Sequence, residues 1–206
     1  MRTFDRRREH LMRVAARTFA ERGFHRTSMR DLSRASEMSL AGMYYYVKGK
    51  EDLLFQIQKA CCEQLLAGAA RVVGGSAGPA ERLAAFIRHH VTFFSSHLAE
   101  MKVLSHEAES LSGAGLEEVR GLQRSYADLG LGLLADLEAG FGGAQVDRHI
   151  AAISLFGMMN WIYTWYDPQG PVGVDALSDA ICRLFLNGYA SGTDWIAPKK
   201  GDSLEP

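Results

Sequence analysis

A helical spacing of apolar residues runs through nearly the whole 206-residue chain and constrains its fold more than any other feature. In the first segment, Leu11, Val14, Ala15 and Phe19 follow the i, i+3, i+4, i+8 spacing that places side chains on one helical face. The same period returns in each later segment, and no segment shows the alternation typical of a strand. The pattern predicts an all-α protein with about nine helices.

Capping residues and glycines indicate where these helices begin and end. Gly23 stands where a C-terminal glycine is expected, Ser28 with Asp31 forms a capping box, and Ser39 is a further N-cap candidate. After the first helix, the predicted helices cover 29–35, 40–46, 50–71, 80–97, 100–111, 116–139, 145–166 and 173–190. We expect an N-terminal domain over 1–48, a larger helical domain over 49–196 and a disordered tail over 197–206.

Charge divides the chain in a second way. Residues 1–50 contain twelve Lys and Arg but five Asp and Glu, whereas residues 51–206 contain eleven and nineteen. The overall charge of −1 therefore combines a basic N-terminal part with an acidic remainder. This asymmetry favours a module that binds a polyanion, joined to a domain with another task, although a solvated basic arm without a partner would give the same count.

Two short predicted helices follow the basic first helix and are joined by a tight turn, as in a helix-turn-helix unit. The second short helix, from Ser39, would lie in the major groove, with Leu40 and Ala41 near thymine methyl groups. Arg30 offers a guanidinium fork for a guanine edge. Further candidates for phosphate and backbone contacts are Thr27, Ser28, Ser39, Tyr44, Tyr45, Tyr46 and Lys50. The alternative is a plain three-helix bundle in which the tyrosines pack in the core.

The stretch from Ala15 to Leu54 resembles the N-terminal domain of the tetracycline-repressor (TetR) family of bacterial transcription regulators. Residues 19–24 (FAERGF) match that family's ending of the first helix, and Thr27 matches a threonine near the start of the second. The recognition segment of the family is matched by Ser39, Tyr44, Tyr46, Val47, Lys50 and Leu53. Val47 replaces a common phenylalanine, and Glu37 replaces a glycine in the turn, where a positive φ would strain it.

The resemblance implies two sets of DNA contacts. Phosphate contacts would come from Thr27, Ser39, Tyr44, Tyr46 and Lys50. Residues facing the bases would be Arg30, Leu40, Ala41, Gly42 and Tyr45. It also implies an all-helical C-terminal domain for ligand binding and dimerisation. We therefore expect a homodimeric, ligand-responsive regulator in the bacterial cytosol, most simply a repressor, with double-stranded operator DNA as its partner.

The last two predicted helices are apolar enough to pair with a second copy as a four-helix interface. The residues predicted at this interface are Ile153, Phe156, Trp161, Ile181, Leu184 and Phe185. The segment 157–171 also resembles TetR regulators of fatty-acid, steroid or aromatic-acid breakdown, which respond to coenzyme A thioesters. Asp167, however, stands where such proteins often carry a basic residue.

An acyl group would need a long apolar pocket between helices. Its predicted lining is Phe86, Phe93, Met101, Leu104, Tyr126, Leu129, Met158, Met159 and Ile162, most of which would equally serve as core. Cations available to the coenzyme A phosphates are Arg88, Lys102, Arg120, Arg124 and Arg148. A regulator of the multidrug- or phenol-responsive type is the alternative.

Other classes of function find little support in the sequence. The uncharged run from Ile150 to Tyr166 is short for a bilayer span, and its polar residues favour a buried helix. The charged start of the chain lacks the apolar stretch of a signal peptide, and three cysteines suit a reducing cytosol. No nucleophile elbow, phosphate-binding loop or Glu-x-x-His metal motif occurs, so we expect no enzyme activity, metal or resident cofactor.

Overall fold

The computed structural model describes residues 3–76, 78–141 and 146–190. Its α-helices are α1 (Thr3–Arg22), α2 (Met29–Ser36), α3 (Leu40–Tyr44), α4 (Lys50–Gly74), α5 (Pro79–Ser96), α6 (Leu98–His106), α7 (Gly113–Phe141), α8 (Arg148–Asn160) and α9 (Val174–Ala190). Two 3₁₀ turns, Ala108–Ser110 and Trp161–Thr164, extend α6 and α8. The prediction of an all-α fold with nine helices is confirmed for the described residues. The predicted disordered tail lies outside them.

Three predicted helices are shorter than expected. The helix predicted over 100–111 is α-helical from Leu98 to His106. The segment predicted as one helix over 145–166 is α-helical only from Arg148 to Asn160 and then tightens into the 3₁₀ turn. The helix predicted over 40–46 ends at Tyr44, followed by a turn in which the Val47 amide donates to the Met43 carbonyl. Within the described residues, no helix has the length and apolarity to cross a membrane.

Helices α1, α2 and α3 form the N-terminal unit, closed by the start of α4. Leu11, Ala15 and Phe19 point into its core, as their spacing predicts. α1 ends at Gly23, which has a φ of +83° and whose amide donates to the Phe19 carbonyl at 2.8 Å. A glycine takes this left-handed conformation without steric cost, so the predicted helix end is confirmed.

The turn between α2 and α3 contains a strained residue. Glu37 has φ 56° and ψ 25°, and it is the one non-glycine residue with positive φ in the described part of the chain. Its amide donates to the Ser33 carbonyl, and the Ser33 hydroxyl donates to the Met38 carbonyl at 2.6 Å, so hydrogen bonds hold the turn in place. Glu37 therefore adopts the conformation that the glycine of the resembled family would adopt freely.

Replacing Glu37 with glycine is expected to stabilise the protein. Relief of the left-handed strain contributes about 1–2 kcal/mol, and the greater flexibility of glycine in the unfolded chain offsets about half of it. The net gain of about 0.5–1 kcal/mol should raise the melting temperature by roughly 1–4 °C in scanning calorimetry. Glu63→Gly in the middle of α4 is the control and should lower it. An unchanged or lower melting temperature for Glu37→Gly would show that the turn holds no such strain.

The larger unit is built around α4, α5 and α7, with α6, α8 and α9 packed around them. α4 packs along both α5 and α7, and α9 packs along α5. α4 and α5 approach closely because residue 68 is glycine: a Cβ there would lie 2.3 Å from Cε1 of His89. The His89 ring in turn donates to the Leu65 carbonyl at 3.1 Å. The core therefore has little room for rearrangement along this contact.

A small set of hydrogen bonds joins the two units. Oε1 of Glu107, directly after α6, accepts from the Phe24 amide at 2.9 Å, and the Lys50 ammonium donates to the Phe24 carbonyl at 2.8 Å. Nearby, the Ser110 hydroxyl lies 3.2 Å from Nε2 of His25. Helix α6 also packs against α1. The position of α6 is thus coupled to the chain between α1 and α2.

The outer face of α8 and α9 is apolar. The side chains of Ile153, Leu184 and Trp161 are 73%, 71% and 61% exposed. The other three residues predicted at the dimer interface lie elsewhere. Ile181 and Phe185 are buried on the face of α9 that packs against α5, and Phe156 packs edge-on against Phe86. The helical stripe predicted from sequence is therefore split between the protomer core and an exposed face.

Candidate DNA-binding surface and effector cavity

The N-terminus of α3 is capped by its own first residues. The Ser39 hydroxyl accepts from the Gly42 amide at 3.0 Å, and a Cβ on residue 42 would lie 3.1 Å from that oxygen. Ala41 is exposed and Leu40 is half-buried, while the fully buried Met43 anchors the helix to the core. Small residues therefore cover the exposed start of α3, so its backbone can approach a base-pair edge closely.

The three consecutive tyrosines lie mainly on the outside. Tyr45 is 75% exposed, Tyr44 is 52% exposed, and Tyr46 is half-buried with its ring edge-on to Tyr45 at 5.4 Å between centroids. Because consecutive residues of a helix are rotated by about 100°, three neighbouring side chains cannot all face the core. The exposed side chains of Tyr44 and Tyr45 suit hydrogen bonds to phosphate oxygens.

Helix α2 begins with the predicted capping box. The Ser28 amide and hydroxyl donate to the Asp31 carboxylate at 2.9 and 2.5 Å, and the Asp31 amide donates back to the Ser28 hydroxyl. These hydrogen bonds from Ser28, together with Arg34, lower the pKa of Asp31 to about 2. Ser28 is thus engaged within the helix start. Arg30 is exposed and makes no hydrogen bond or ion pair with the other described residues.

Two predicted phosphate contacts already have partners within the chain. Thr27 is buried, and its hydroxyl donates to the Gly23 carbonyl at 2.8 Å. The Lys50 ammonium lies 4.3 Å from the centre of the Phe24 ring besides donating to the Phe24 carbonyl. Both residues were predicted on residue type and motif position, which do not reveal that the loop after α1 folds back over them. All eleven predicted DNA contacts stay predictions.

A cavity of about 380 Å³ lies in the larger unit, among α4, α5, α6, α7 and α8. None of the residues lining it is Asp, Glu, Lys or Arg. They are Cys62, Leu65, His90, Phe94, Met101, Leu104, Ser105, Ala108, Leu122, Gln123, Tyr126, Ala127, Phe156 and Asn160. Ser105 is exposed and Gln123 is half-buried, which places an opening between α6 and α7. The cavity suits an uncharged, largely apolar group.

Three predicted pocket residues, Met101, Leu104 and Tyr126, line this cavity. The other six do not. Phe86 stacks behind Tyr126 at 5.0 Å between ring centroids, and Met158 is exposed on the outside of α8. The remaining four, Phe93, Leu129, Met159 and Ile162, are buried or half-buried away from the cavity wall. Sequence periodicity gave the buried face of each helix but not which part of that face borders the cavity.

His90 was missed as a cavity residue. Its ring is 1% exposed and stacks on Phe94 at 4.0 Å between centroids. Nδ1 lies 3.0 Å from the Tyr126 hydroxyl, whereas Nε2 makes no hydrogen bond that meets ordinary limits of distance and angle. Burial lowers the pKa of His90 to about 3, aided by nearby His89 and opposed by the Asn160 side chain. Its place on the apolar stripe of α5 was the signal that could have found it.

The predicted phosphate-binding cations divide into two groups. Three are already paired: Arg88 with Asp179, Arg120 with Glu117, and Arg148 with Glu138. Lys102 and Arg124 are exposed and make no ion pair with the other described residues. Each directly adjoins a cavity residue, Met101 or Gln123. Of the five predicted cations, these two are therefore the ones not engaged in an ion pair with other described residues.

A second groove, of about 700 Å³, separates α1 from α4 and the α5–α6 junction. Its lining includes Arg13, Arg17 and Glu100, so it presents charges of both signs. Such a lining does not suit an acyl chain, which gains most where water is excluded. The three cysteines are buried free thiols, and burial raises the pKa of Cys62 to about 12. Within the described ranges, no three His, Cys, Asp or Glu residues are arranged to hold a metal ion.

A basic helix-turn-helix unit, hydrogen-bonded to a helical domain with an uncharged cavity, defines a DNA-binding transcriptional regulator. The family described as bacterial regulatory proteins, tetR family, matches residues 11–57, and the tetracyclin repressor-like C-terminal domain matches residues 76–189. The chain therefore belongs to the TetR family.

Individual relatives agree with this assignment. The chain is 24% identical over 188 residues to the HTH-type transcriptional repressor KstR2 of Mycobacterium tuberculosis, covering 88% of this chain and 92% of that protein. It is similar to the crystal structure of AibR in complex with isovaleryl coenzyme A and operator DNA, with a TM-score of 0.77, 27% identity and coverage of 86% and 97%. A TetR-family regulator from Bordetella parapertussis gives a TM-score of 0.82 at 27% identity, with coverage of 91% and 98%.

Proposed function

We propose that this protein is a homodimeric repressor, released from its operator when an acyl coenzyme A thioester places its acyl group in the α4–α8 cavity. The observation that carries the proposal is that α6 serves two purposes. It supplies Met101 and Leu104 to the cavity wall, and the residue that follows it, Glu107, binds the Phe24 amide of the DNA-binding unit. A ligand that moves α6 therefore acts on the position of α2 and α3.

Two copies of the N-terminal unit are needed for firm operator binding. One short recognition helix contacts only a few base pairs, whereas a dimer reads two half-sites about 34–36 Å apart, or a multiple of that distance. The exposed apolar face containing Ile153, Trp161 and Leu184 provides a surface for pairing α8 and α9 with a second copy.

An acyl thioester has an uncharged acyl group and a charged coenzyme A part, which matches an uncharged cavity with cations outside it. The uncharged cavity would take the acyl group, and the coenzyme A phosphates would remain outside, near Lys102 and Arg124. The similarity to AibR, which was crystallised with isovaleryl coenzyme A, supports this ligand class. Asp167 is exposed and lies outside the cavity lining, so its replacement of a basic residue does not affect the acyl site.

The ligand releases DNA to the extent that it binds one conformation better than the other. With an affinity ratio of about 100 between the two conformations, operator affinity falls about 100-fold at saturation. In this scheme α6 moves outward as the acyl group enters, and Glu107 carries the Phe24 segment with it. The spacing of the two recognition helices then no longer matches the half-sites.

The ligand class is tested with a panel of acyl coenzyme A thioesters of different length and shape. At least one should release a fluorescent duplex taken from the DNA upstream of the gene, and should stabilise the protein by about 2.7 kcal/mol at 100 times its dissociation constant. Free coenzyme A and the free acids are the controls. Release by phenols or cationic drugs, but by no thioester, would replace this proposal with the multidrug- or phenol-responsive alternative.

Arg30 is expected to read a base rather than a phosphate. Arg30→Ala should weaken operator binding by about 1–3 kcal/mol and relax the preference at one base pair of each half-site. Arg30→Lys is the matched control: it keeps the charge and loses the bidentate fork, so non-specific binding should persist while the base preference falls. The measurement is anisotropy with duplexes varied at each position. An unchanged base preference in Arg30→Ala would remove this role.

A further inference from the structure

We propose that the effector places an oxygen atom of its acyl group against Nε2 of His90, and that the cavity thereby selects oxygenated acyl groups. A hydroxyl or keto group in the acyl part would be bound more tightly than a hydrocarbon acyl group of the same size. This inference rests on the proposed function, because it assumes an acyl thioester in the α4–α8 cavity. It adds the chemical character of the acyl group and the residue pair that recognises it.

The first observation is an unpaired polar atom on a side chain that lines the cavity. Among the described residues, two buried side-chain atoms lack a hydrogen-bond partner, Oε1 of Gln58 and Nε2 of His90. Gln58 does not line the cavity, and its amide donates to the Glu107 carbonyl at 3.1 Å. His90 does line it. A buried polar atom without a partner is costly, so one at a ligand cavity indicates a partner supplied by the ligand.

The second observation is that the His90 ring is held in place. It stacks on Phe94 with an angle of 22° between the rings, and Nδ1 is within hydrogen-bond distance of Tyr126, whose own ring stacks on Phe86. The ring therefore cannot turn easily to find another partner. Nε2 keeps a fixed position in a wall otherwise made largely of apolar and aromatic side chains.

The His90–Tyr126 pair can form a hydrogen bond with either a keto oxygen or a hydroxyl group of the ligand. Burial keeps the imidazole neutral and raises the pKa of the Tyr126 hydroxyl. One ring nitrogen therefore carries a proton, and the other can accept a hydrogen bond. When the tyrosine hydroxyl donates to Nδ1, Nε2 carries the proton and donates to a keto oxygen. When Nδ1 donates to the tyrosine, Nε2 accepts from a ligand hydroxyl.

A plain hydrocarbon acyl group would fill the same space at a disadvantage. It displaces any water able to pair with Nε2 and leaves the nitrogen with only the poorly aligned Asn160 side chain beside it. An oxygen at that position restores the hydrogen bond, and the side chain of Asn160 lies close enough to assist it. We expect about 10-fold tighter binding or more for the oxygenated member of a size-matched pair.

The test uses three pairs of thioesters: hexanoyl and 5-oxohexanoyl, cyclohexanecarbonyl and 4-oxocyclohexanecarbonyl, and benzoyl and 4-hydroxybenzoyl coenzyme A. Affinities are measured by calorimetry with the full-length protein. In the wild type, the affinities of the two members of at least one pair should differ by about 10-fold or more, with the oxygenated member binding more tightly. In the double variant His90→Leu/Tyr126→Phe, which removes both polar groups with little change in volume, the ratio should fall close to one. Ser125→Ala, on α7 outside the cavity lining, should leave the ratio unchanged.

A second measurement needs no variant that might fold poorly. With ¹⁵N-labelled histidine, the Nε2 resonance of His90 should shift in the wild type on adding the oxygenated member and stay near its free position with the hydrocarbon member. Thioesters that bind and release DNA, but with ratios near one in every pair, would overturn the role of His90 and leave the proposed function intact. If no thioester of the six binds, the proposed effector class fails and this inference fails with it.

Discussion

Leu184→Asp is expected to turn the protein into a monomer and to lower its affinity for the operator about 100-fold or more. Leu184 is 71% exposed and shares the apolar outer face of α8 and α9 with Ile153 and Trp161. In a dimer formed through this face the carboxylate would be buried among apolar side chains, at a cost that apolar contacts cannot offset. Because two linked half-sites bind about 10²–10⁴ times more tightly than one, loss of the dimer is amplified at the operator.

Sedimentation equilibrium gives the oligomeric state of this variant, and anisotropy with full and half operators gives its DNA affinity. The fold should be unchanged, since the side chain is exposed in the protomer. Ala70→Asp is the matched control, because Ala70 is exposed on α4, which packs against α5 and α7. It should remain a dimer with full affinity. A dimeric Leu184→Asp protein with normal operator binding would place the interface elsewhere.

The second expected effect is a loss of stability in mild acid. The free energy of unfolding should fall by about 2 kcal/mol between pH 7.5 and pH 5 at constant protein concentration. In the folded protein burial lowers the pKa of His90 to about 3, while in the unfolded chain the imidazole titrates near 6.5. Between about pH 6.5 and pH 3, the unfolded state therefore binds a proton on this imidazole that the folded state does not bind. The stability due to this group is complete above pH 6.5 and is lost as the pH falls towards 3.

Other titratable groups also affect how the free energy of unfolding depends on pH. Half-buried His89 also has a lowered pKa, because of burial, and acts in the same direction. The carboxylates of Asp31 and Glu138 have lowered pKa values through hydrogen bonds from Ser28 and from Arg148, and most of their contribution is lost as the pH falls below about 4.5. The window from pH 6.5 to 5 thus isolates the histidines.

Urea unfolding at pH 7.5, 6.5, 5.5 and 5.0 measures this effect. The double variant His90→Leu/Tyr126→Phe should show a clearly smaller fall over the same range, because it lacks the buried imidazole. His149→Leu, which removes an exposed histidine on α8, should keep the fall seen in the wild type. Parallel curves for the wild type and the double variant would mean that His90 is not held neutral in the folded protein.

The local signals in the sequence predicted most of the secondary structure. The apolar spacing of α1, the C-terminal glycine at Gly23 and the capping box of Ser28 with Asp31 all depend on residues a few positions apart, so they can be read along the chain. The turn at Glu37 was also recognisable, but the sequence left open whether it would be strained or would differ, and the structure shows a positive φ. The end of α8 at Asn160 was missed, because nothing in the uncharged run marks where a helix tightens.

The candidate sites were less accessible to such reasoning. A motif placed Thr27 and Lys50 on the DNA surface, but the loop after α1 buries Thr27 and gives Lys50 a carbonyl partner. Periodicity assigned Met158 to a pocket although it faces outward, and it assigned Phe185 to a dimer interface although it packs within its own chain. A helical stripe says which side chains share a face; the crossing angles of the neighbouring helices decide what that face meets.

By itself, the sequence determined an all-α chain, a basic helix-turn-helix head and membership of a regulator family, because each depends on residue types at short, fixed spacings. The tertiary structure alone decided which residues border the cavity, and it brought His90 to Tyr126 across 36 residues and Glu107 to Phe24 across 83. Contacts at such separations depend on how whole helices pack against one another, and no local pattern in the chain encodes that packing.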